Sequence, residues 1–224
     1  MNEARKHFLQ KFEHALKKEI DPHLVPKIME GSSDSDQKQN EDWLKETLDI
    51  FEISLGEEKV QNIMLHCGCH YSKEKTLLLQ HEFSRTKDIN KVMELLASQV
   101  KETCESQLHL PRPVIKQMKE MNMGPVGVRE GNKITITKAP QSTNIEKYFK
   151  ETDPQKKRSL YCHCPHIAGF INAQTKISKN FCYCGGGFYK HLWEEIIQRP
   201  VKIQMIKSVL AGDEVCQFEI ELPL

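Results

Sequence analysis

Six of the eight cysteines in this 224-residue chain lie in three Cys-x-Cys pairs, and no other feature constrains the fold as strongly. The pairs are Cys67/Cys69, Cys162/Cys164 and Cys182/Cys184, and the two single cysteines are Cys104 and Cys216. A random scatter of eight cysteines over this length would give roughly 0.3 such pairs. Clustered cysteines outside the secretory pathway indicate metal or redox chemistry more often than structural disulfides. The chain is therefore expected to bring remote segments together around one chemical site.

The two-residue spacing suits a metal ion better than a disulfide. Two thiolates on one zinc ion lie roughly 3.8 Å apart. Side chains at i and i+2 of an extended segment point to the same side, so both sulfurs of a pair can reach one ion. A disulfide within Cys-x-Cys would instead close a small, strained ring.

The second and third pairs, only about twenty residues apart, are the preferred metal ligands, because four thiolates saturate a structural zinc site. Histidine, a common zinc ligand, accompanies two of the pairs, as His66, His70, His163 and His166. The predicted ligands are Cys162, Cys164, Cys182 and Cys184, with Cys67 and Cys69 as a second group beside His66 or His70. Zinc is the expected metal, and an iron–sulfur cluster is the alternative that also takes four thiolates. A site with one open position would activate a water molecule for hydrolysis.

Two other functions compete with metal binding. One is a hydrolase or thiol-redox enzyme that uses Cys184 or Cys162, with His163 or His166 as the base if the pairs meet in space. Cys184 precedes three glycines and a predicted helix, whose first amide groups favour a thiolate. The other is a ligand-binding or interaction module whose cysteines only fill the core. Cys104 and Cys216 continue apolar stripes and are expected in the core in either case.

The hydrophobic pattern changes character near residue 110. Residues 1–110 are expected to be helical, with helices over 1–30, 41–55, 57–66 and 88–108. Residues 111–224 mix helices at 113–123 and 188–198 with a hairpin at 125–137 and strands at 201–209 and 215–222. The predicted fold class is α+β, in which the helical N-terminal part packs, as one continuous domain, on a C-terminal antiparallel sheet with helices on one face.

Charge and hydropathy exclude several partners. The chain has 31 acidic and 32 basic residues, for a formal net charge of +1. An electrostatic nucleic-acid binder carries a basic excess, so no nucleic-acid partner is expected. No run of apolar residues approaches the roughly 18 needed to cross a bilayer, and the first residues lack the apolar core of a secretory signal. A cytoplasmic protein without a membrane partner is expected.

Residues 181–223 carry a resemblance to known families. Their order is a glycine turn, a helix, a strand, a glycine-containing turn and a strand that contains Cys216-Gln217-Phe218. This order resembles the C-terminal part of the vinyl-reductase-type ligand-binding domain and of the amino-thiazoline-carboxylate hydrolase-like family, and is closer to an uncharacterised bacterial family rich in Cys-x-Cys pairs. The resemblance implies an α+β fold that holds a small-molecule ligand between helices and sheet. The three cysteine pairs depart from the hydrolase pattern, so no catalytic residue is transferred.

Overall fold

A computed structural model describes residues 3–33, 37–162 and 164–223 of the chain. The helices are α1 (Glu3–Glu19), α2 (Val25–Met29), α3 (Gln37–Ser54), α4 (Glu57–His66), α5 (Lys73–Thr86), α6 (Ile89–Glu102), α7 (Arg112–Glu120), α8 (Ile145–Lys150), α9 (Pro154–Tyr161), α10 (Ala168–Ala173) and α11 (Tyr183–Ile197). The strands are β1 (Val128–Glu130), β2 (Lys133–Thr137), β3 (Lys202–Lys207) and β4 (Gln217–Glu221). Helices and an antiparallel sheet in one chain confirm the predicted α+β class. Within the described ranges, no helix is both long and apolar enough to cross a membrane.

The chain divides into two compact units. The first comprises the described parts of residues 1–68 and 163–187, and the second comprises residues 69–162 and the described part of 188–224. Residue 110, where the hydrophobic pattern changes, lies inside the second unit. The first unit is helical, with α4 packed on α1, on α3 and on the short 3-10 turn Lys179–Cys182.

The first unit is built on the apolar face of α1. Phe8, Phe12 and Leu16 recur every four residues and are buried, as the sequence predicts. The single helix predicted over residues 1–30 is wrong, because α1 ends at Glu19 and α2 begins at Val25. Pro22 explains the break, since proline disfavours helical backbone in the residue before it, whereas Pro26 lies in the first turn of α2, where proline is tolerated.

The sheet of the second unit has the strand order β1-β2-β4-β3, with every neighbouring pair antiparallel. Alternate residues of the last strand face one side, and all of that set are buried: Cys216, Phe218, Ile220 and Leu222. The predicted strand over 215–222 and its buried face are therefore confirmed, as is the core position of Cys216. Phe218 pairs with Ile136 on one side and with Met205 on the other, which places β4 in the interior of the sheet.

Helices α5 and α6 pack on each other in the second unit. The carboxylate of Asp88 accepts a hydrogen bond from the amide of Asn90 at 2.8 Å, which confirms the predicted cap of α6. Helix α6 passes into a π-helical turn over Thr103–Gln107, where Cys104 is buried as predicted. Helix α5 was missing from the sequence prediction, although Ser72 caps it by accepting a hydrogen bond from the Lys75 amide.

Candidate functional site

The paired cysteines fall in both units. All eight cysteines lie within the described residues, and none of them forms a disulfide bond. The first unit contains Cys67, Cys164, Cys182 and Cys184, and the second contains Cys69, Cys104, Cys162 and Cys216. Each predicted pair is thus represented in the first unit by at least one thiol.

A contact between the first and third pairs is the central feature of the first unit. The Cys184 thiol donates a hydrogen bond to the carbonyl oxygen of Cys67, with sulfur and oxygen 3.4 Å apart. Cys67 is the residue at which α4 ends, and Cys184 lies in the first turn of α11. Two cysteines separated by more than a hundred positions along the chain are therefore adjacent in space.

Gly187 permits this approach of α11 to the end of α4. A Cβ atom on Gly187 would lie 2.0 Å from the carbonyl oxygen of Leu65, far inside contact distance. The sequence predicted a glycine turn before a helix beginning at residue 188, and this is wrong because α11 begins at Tyr183. The glycines are the third to fifth residues of α11, and the absence of a side chain at Gly187 leaves room for the Leu65 carbonyl group.

Two of the three pairs do not have the extended geometry assumed from their spacing, whereas Cys162 of the remaining pair is extended (φ −79°, ψ 117°). The backbone of Cys67 is helical (φ −81°, ψ −3°), and Cys67 is buried while Cys69 is exposed. Cys182 ends a 3-10 turn and Cys184 is helical, so this pair is not extended either. Residues two apart on a helix point in nearly opposite directions, because each residue advances about 100°. The first and third pairs are instead joined by the contact between Cys184 and Cys67.

Cys67 is buried. Its thiol donates a hydrogen bond to the Ile63 carbonyl oxygen at 3.3 Å. Burial raises the pKa of the Cys67 thiol to about 12, and the nearby Lys11 ammonium lowers this pKa only in part. Lys11 itself donates to the Gly68 carbonyl oxygen at 2.6 Å. Without a bound metal Cys67 is therefore protonated at neutral pH and is a poor nucleophile.

The histidines beside the cysteine pairs have other contacts. Nδ1 of His66 lies 2.8 Å from the carbonyl oxygen of Asn62 in its own helix. His166 packs its ring against Phe8, with ring centroids 4.3 Å apart. Burial, with a smaller effect of Arg5, lowers the pKa of His166 to about 4, so its ring is neutral and weakly basic. His163, the other predicted base, lies outside the described residues.

His70, in the second unit, belongs to a small cluster. Its ring stacks on that of His191 at a centroid distance of 4.4 Å, and its Nδ1 lies 3.6 Å from a carboxylate oxygen of Glu195. No group of three or more His, Cys, Asp or Glu side chains is arranged to hold a metal ion among the residues that the structure describes. This statement covers both the His70 cluster and the thiols. The zinc site predicted from Cys67, Cys69, Cys162, Cys164, Cys182 and Cys184, and the iron–sulfur alternative, remain predictions.

The sequence did not point to Lys11 or to Gly187. Lys11 lies three positions after Phe8 and one before Phe12, so it flanks the buried stripe of α1. A lysine at such a position often lays its aliphatic stem along apolar surface, but this is only a weak signal in the sequence. The special role of Gly187 among three consecutive glycines has no signal in the sequence, because it depends on which carbonyl group packs against it.

Similarity to known proteins is confined to the C-terminal part of the chain. Comparison with curated proteins gives no match, and neither does comparison with solved structures. Residues 135–223, which include the second and third cysteine pairs and strands β3 and β4, match the Family of unknown function (DUF6144).

Proposed function

We propose that the protein binds a transition-metal ion, with zinc as the preferred metal, through the thiolates of Cys67, Cys164, Cys182 and Cys184. The observation that carries the proposal is the 3.4 Å contact between the Cys184 thiol and the backbone of Cys67. It joins two of the three pairs in one unit that also contains a cysteine of the remaining pair. Four thiolates would saturate the ion and leave no position for substrate, so the metal would be structural.

The surroundings of these thiols support the proposal. Cys182 is buried in the 3-10 turn that packs on α4, the helix that ends at Cys67. Binding would replace thiol protons by the ion and would connect the end of α4 to the start of α11. We therefore expect metal binding to stabilise the first unit.

Cys67 replaces Cys162 in the ligand set that the sequence favours. The reason is the contact of Cys67 with Cys184, and the proposed set is taken from the cysteines of the first unit alone. This assignment predicts an asymmetry within two of the pairs. Cys67 is expected to bind metal and Cys69 not, and Cys164 is expected to bind metal and Cys162 not. Substitutions of Cys69 and Cys162 are therefore matched controls.

The experiment is elemental analysis of protein purified under reducing conditions, compared among single variants. The unsubstituted 224-residue chain should contain about one zinc ion, and Cys184→Ser and Cys164→Ser should each reduce the zinc content by at least about half. Cys162→Ser and Cys69→Ser should retain the zinc content of the unsubstituted protein. Cys104→Ala, in the π-helical turn that follows α6, should retain it as well. Circular dichroism shows whether each variant is folded.

Less than roughly a tenth of a metal ion per chain, both as purified and after incubation with zinc, would refute metal binding. Loss of zinc in Cys162→Ser but not in Cys67→Ser would restore the ligand set containing Cys162 and overturn the present one. Iron and acid-labile sulfide in place of zinc, with the absorption of a thiolate-bound cluster, would identify an iron–sulfur protein instead.

A thiol-based enzyme is the second candidate, and the position of Cys184 favours it. This residue is only partly buried and lies in the first turn of α11, where the helix dipole stabilises a thiolate. The resemblance of residues 181–223 to ligand-binding and hydrolase-like families supports a small-molecule substrate for such an enzyme. Rapid alkylation of Cys184 in metal-free protein at pH 6, abolished in Cys184→Ser, favours this function; reaction only near pH 8.5, the range of an ordinary thiol, counts against it.

A further inference from the structure

Helix α5, in the second unit, has an exposed side that is separate from the cysteine contact. The buried residues of this helix, Thr76 and Leu79, lie on one side of it. Five exposed residues lie on the other side and form what we call the α5 stripe: Glu74, Leu77, Leu78, His81 and Arg85. Because a helix advances about 100° per residue, these positions fall within an arc of about 100°. They therefore form one continuous surface along the helix.

The centre of the α5 stripe is apolar. Leu77 is 52 % exposed and Leu78 is 60 % exposed, so more than half of each residue is in contact with solvent. One exposed leucine is ordinary in a folded protein. Two adjacent leucines on one surface form a patch, and burial of such a patch against another apolar surface is favourable in proportion to its area.

The two ends of the α5 stripe carry charges of opposite sign. Glu74 lies in the first turn of α5, and Arg85 lies in the last turn. Both hydrogen bonds from Arg85 to the Glu82 carboxylate, at 2.8 and 2.9 Å, start at Nη2. A guanidinium has several further N–H donors, and 62 % of the Arg85 side chain is exposed. Arg85 can therefore bind a second carboxylate while it keeps its contact with Glu82.

This charge order makes the α5 stripe complementary to a second copy of itself that runs antiparallel. A two-fold axis between Leu77 and Leu78 would place each of these leucines against the other leucine of the second copy. With a rise of 1.5 Å per residue, Glu74 and the second copy's His81 would both lie about 5 Å from that axis. The second copy's Arg85 would lie about 6 Å farther along, within reach of the long arginine side chain. A parallel arrangement would instead place Glu74 against Glu74 and Arg85 against Arg85, which is repulsive.

We propose that the α5 stripe is the interface of a homodimer in which the α5 helices of two copies pack antiparallel. Leu77 and Leu78 form the apolar centre, and Glu74 of each copy forms an ion pair with Arg85 of the other. The helix segment from Glu74 to Arg85 is about 18 Å long, so the contact buries less than the roughly 1,200 Å² of a stable complex. The dimer is therefore reversible, with an expected dissociation constant of about 10–100 μM.

Sedimentation equilibrium of the 224-residue chain, at about 5–500 μM and low ionic strength, measures the dimer directly. A reducing agent is present so that the exposed Cys69 does not link two chains through a disulfide. The unsubstituted protein should show a monomer–dimer equilibrium. Leu78→Gln should raise the dissociation constant at least about ten-fold, because the two-fold axis removes the apolar contact twice.

A charge exchange tests the antiparallel arrangement. Glu74→Arg and Arg85→Glu should each raise the dissociation constant at least about ten-fold, because each substitution places like charges together at both ends of the interface. The double variant Glu74→Arg/Arg85→Glu restores pairs of opposite sign, so its dissociation constant should return to within about three-fold of that of the unsubstituted protein.

Two matched controls lie outside the α5 stripe. Ile53→Gln removes an apolar residue of α3 that is 89 % exposed, and Glu58→Arg reverses an exposed charge in the first turn of α4. Neither should change the dissociation constant, and circular dichroism shows whether each variant is folded.

A monomer at every concentration up to about 500 μM would overturn the proposal. A dimer whose dissociation constant is the same in Leu78→Gln and Glu74→Arg as in the unsubstituted protein would overturn it as well, since the interface would then lie elsewhere. A double variant as weak as its single variants would refute the antiparallel ion pairs. None of these outcomes depends on metal at the cysteines.

Discussion

Replacement of Gly187 by alanine should destabilise the first unit, although alanine is the better helix former. The new Cβ would lie 2.0 Å from the Leu65 carbonyl oxygen, so α11 and the end of α4 must separate by about 1 Å or more. Overpacking of this kind costs about 1–3 kcal/mol, and loss of the hydrogen bond from Cys184 to Cys67 adds about 1 kcal/mol. The gain in helix propensity offsets about 1 kcal/mol. The expected net loss is about 1–3 kcal/mol in the free energy of unfolding.

Gly169→Ala is the matched control, because Gly169 is also helical and also crowded. Its neighbour is the end of the flexible Glu41 side chain, which can move, whereas the neighbour of Gly187 is backbone. Urea denaturation followed by circular dichroism gives the free energy of unfolding of both variants, and Gly169→Ala should lie within about 1 kcal/mol of the wild type. A Gly187→Ala protein as stable as the Gly169→Ala protein would show that the two helices are not in the tight contact described above.

Two further predictions concern the buried tyrosines of the second unit. Tyr161→Phe should cost about 1–3 kcal/mol, because the Tyr161 hydroxyl donates to the Lys138 carbonyl oxygen at 2.5 Å and accepts from the Cys216 amide at 2.9 Å. Tyr148→Phe should lower the free energy of unfolding by less than about 1 kcal/mol in the same denaturation assay, since the buried Tyr148 hydroxyl has no hydrogen-bond partner among the described residues. A larger loss of stability in Tyr148→Phe than in Tyr161→Phe would contradict these hydrogen-bond assignments. Burial, assisted by Glu214, raises the pKa of Tyr148 to about 12. The folded state thus favours the protonated phenol, so the wild type should lose stability relative to Tyr148→Phe as the pH rises from 10 to 12, by an amount on the order of 2 kcal/mol. Parallel stability curves of the two proteins over that range would be inconsistent with this reasoning.

Elements with a strong local signal were predictable from the sequence. Strand β4 alternates apolar and polar residues in VCQFEIEL, and its buried face agrees with that alternation residue by residue. Helix α6 has both a periodic stripe and an aspartate at its start. Helix α5 has a weaker pattern, because Leu77 and Leu78 within it are exposed while Leu79 is buried, so its apolar residues do not mark one face.

The candidate site was predictable in composition but not in arrangement. The spacing identified the six paired cysteines, yet it implied that the members of each pair act together. Cys67 caps the C-terminal end of α4 and is buried, whereas Cys69 lies beyond the helix and is exposed. The contact of Cys67 with Cys184 arises from helix packing that no local pattern encodes.

The strand order has a consequence for the segment that matches the family of unknown function. A polypeptide cut to residues 135–223 would begin inside β2, would lose the β2 residues that pair with Glu221 and Ile220, and would lack β1 altogether. It would also carry the third cysteine pair without α4, the helix on which the turn Lys179–Cys182 rests. The fragment would expose an unpaired part of strand β4 and an uncovered apolar turn. Such surfaces pair with other chains and promote aggregation. The matched segment is therefore shorter than the set of strands and helices that pack together in the structure.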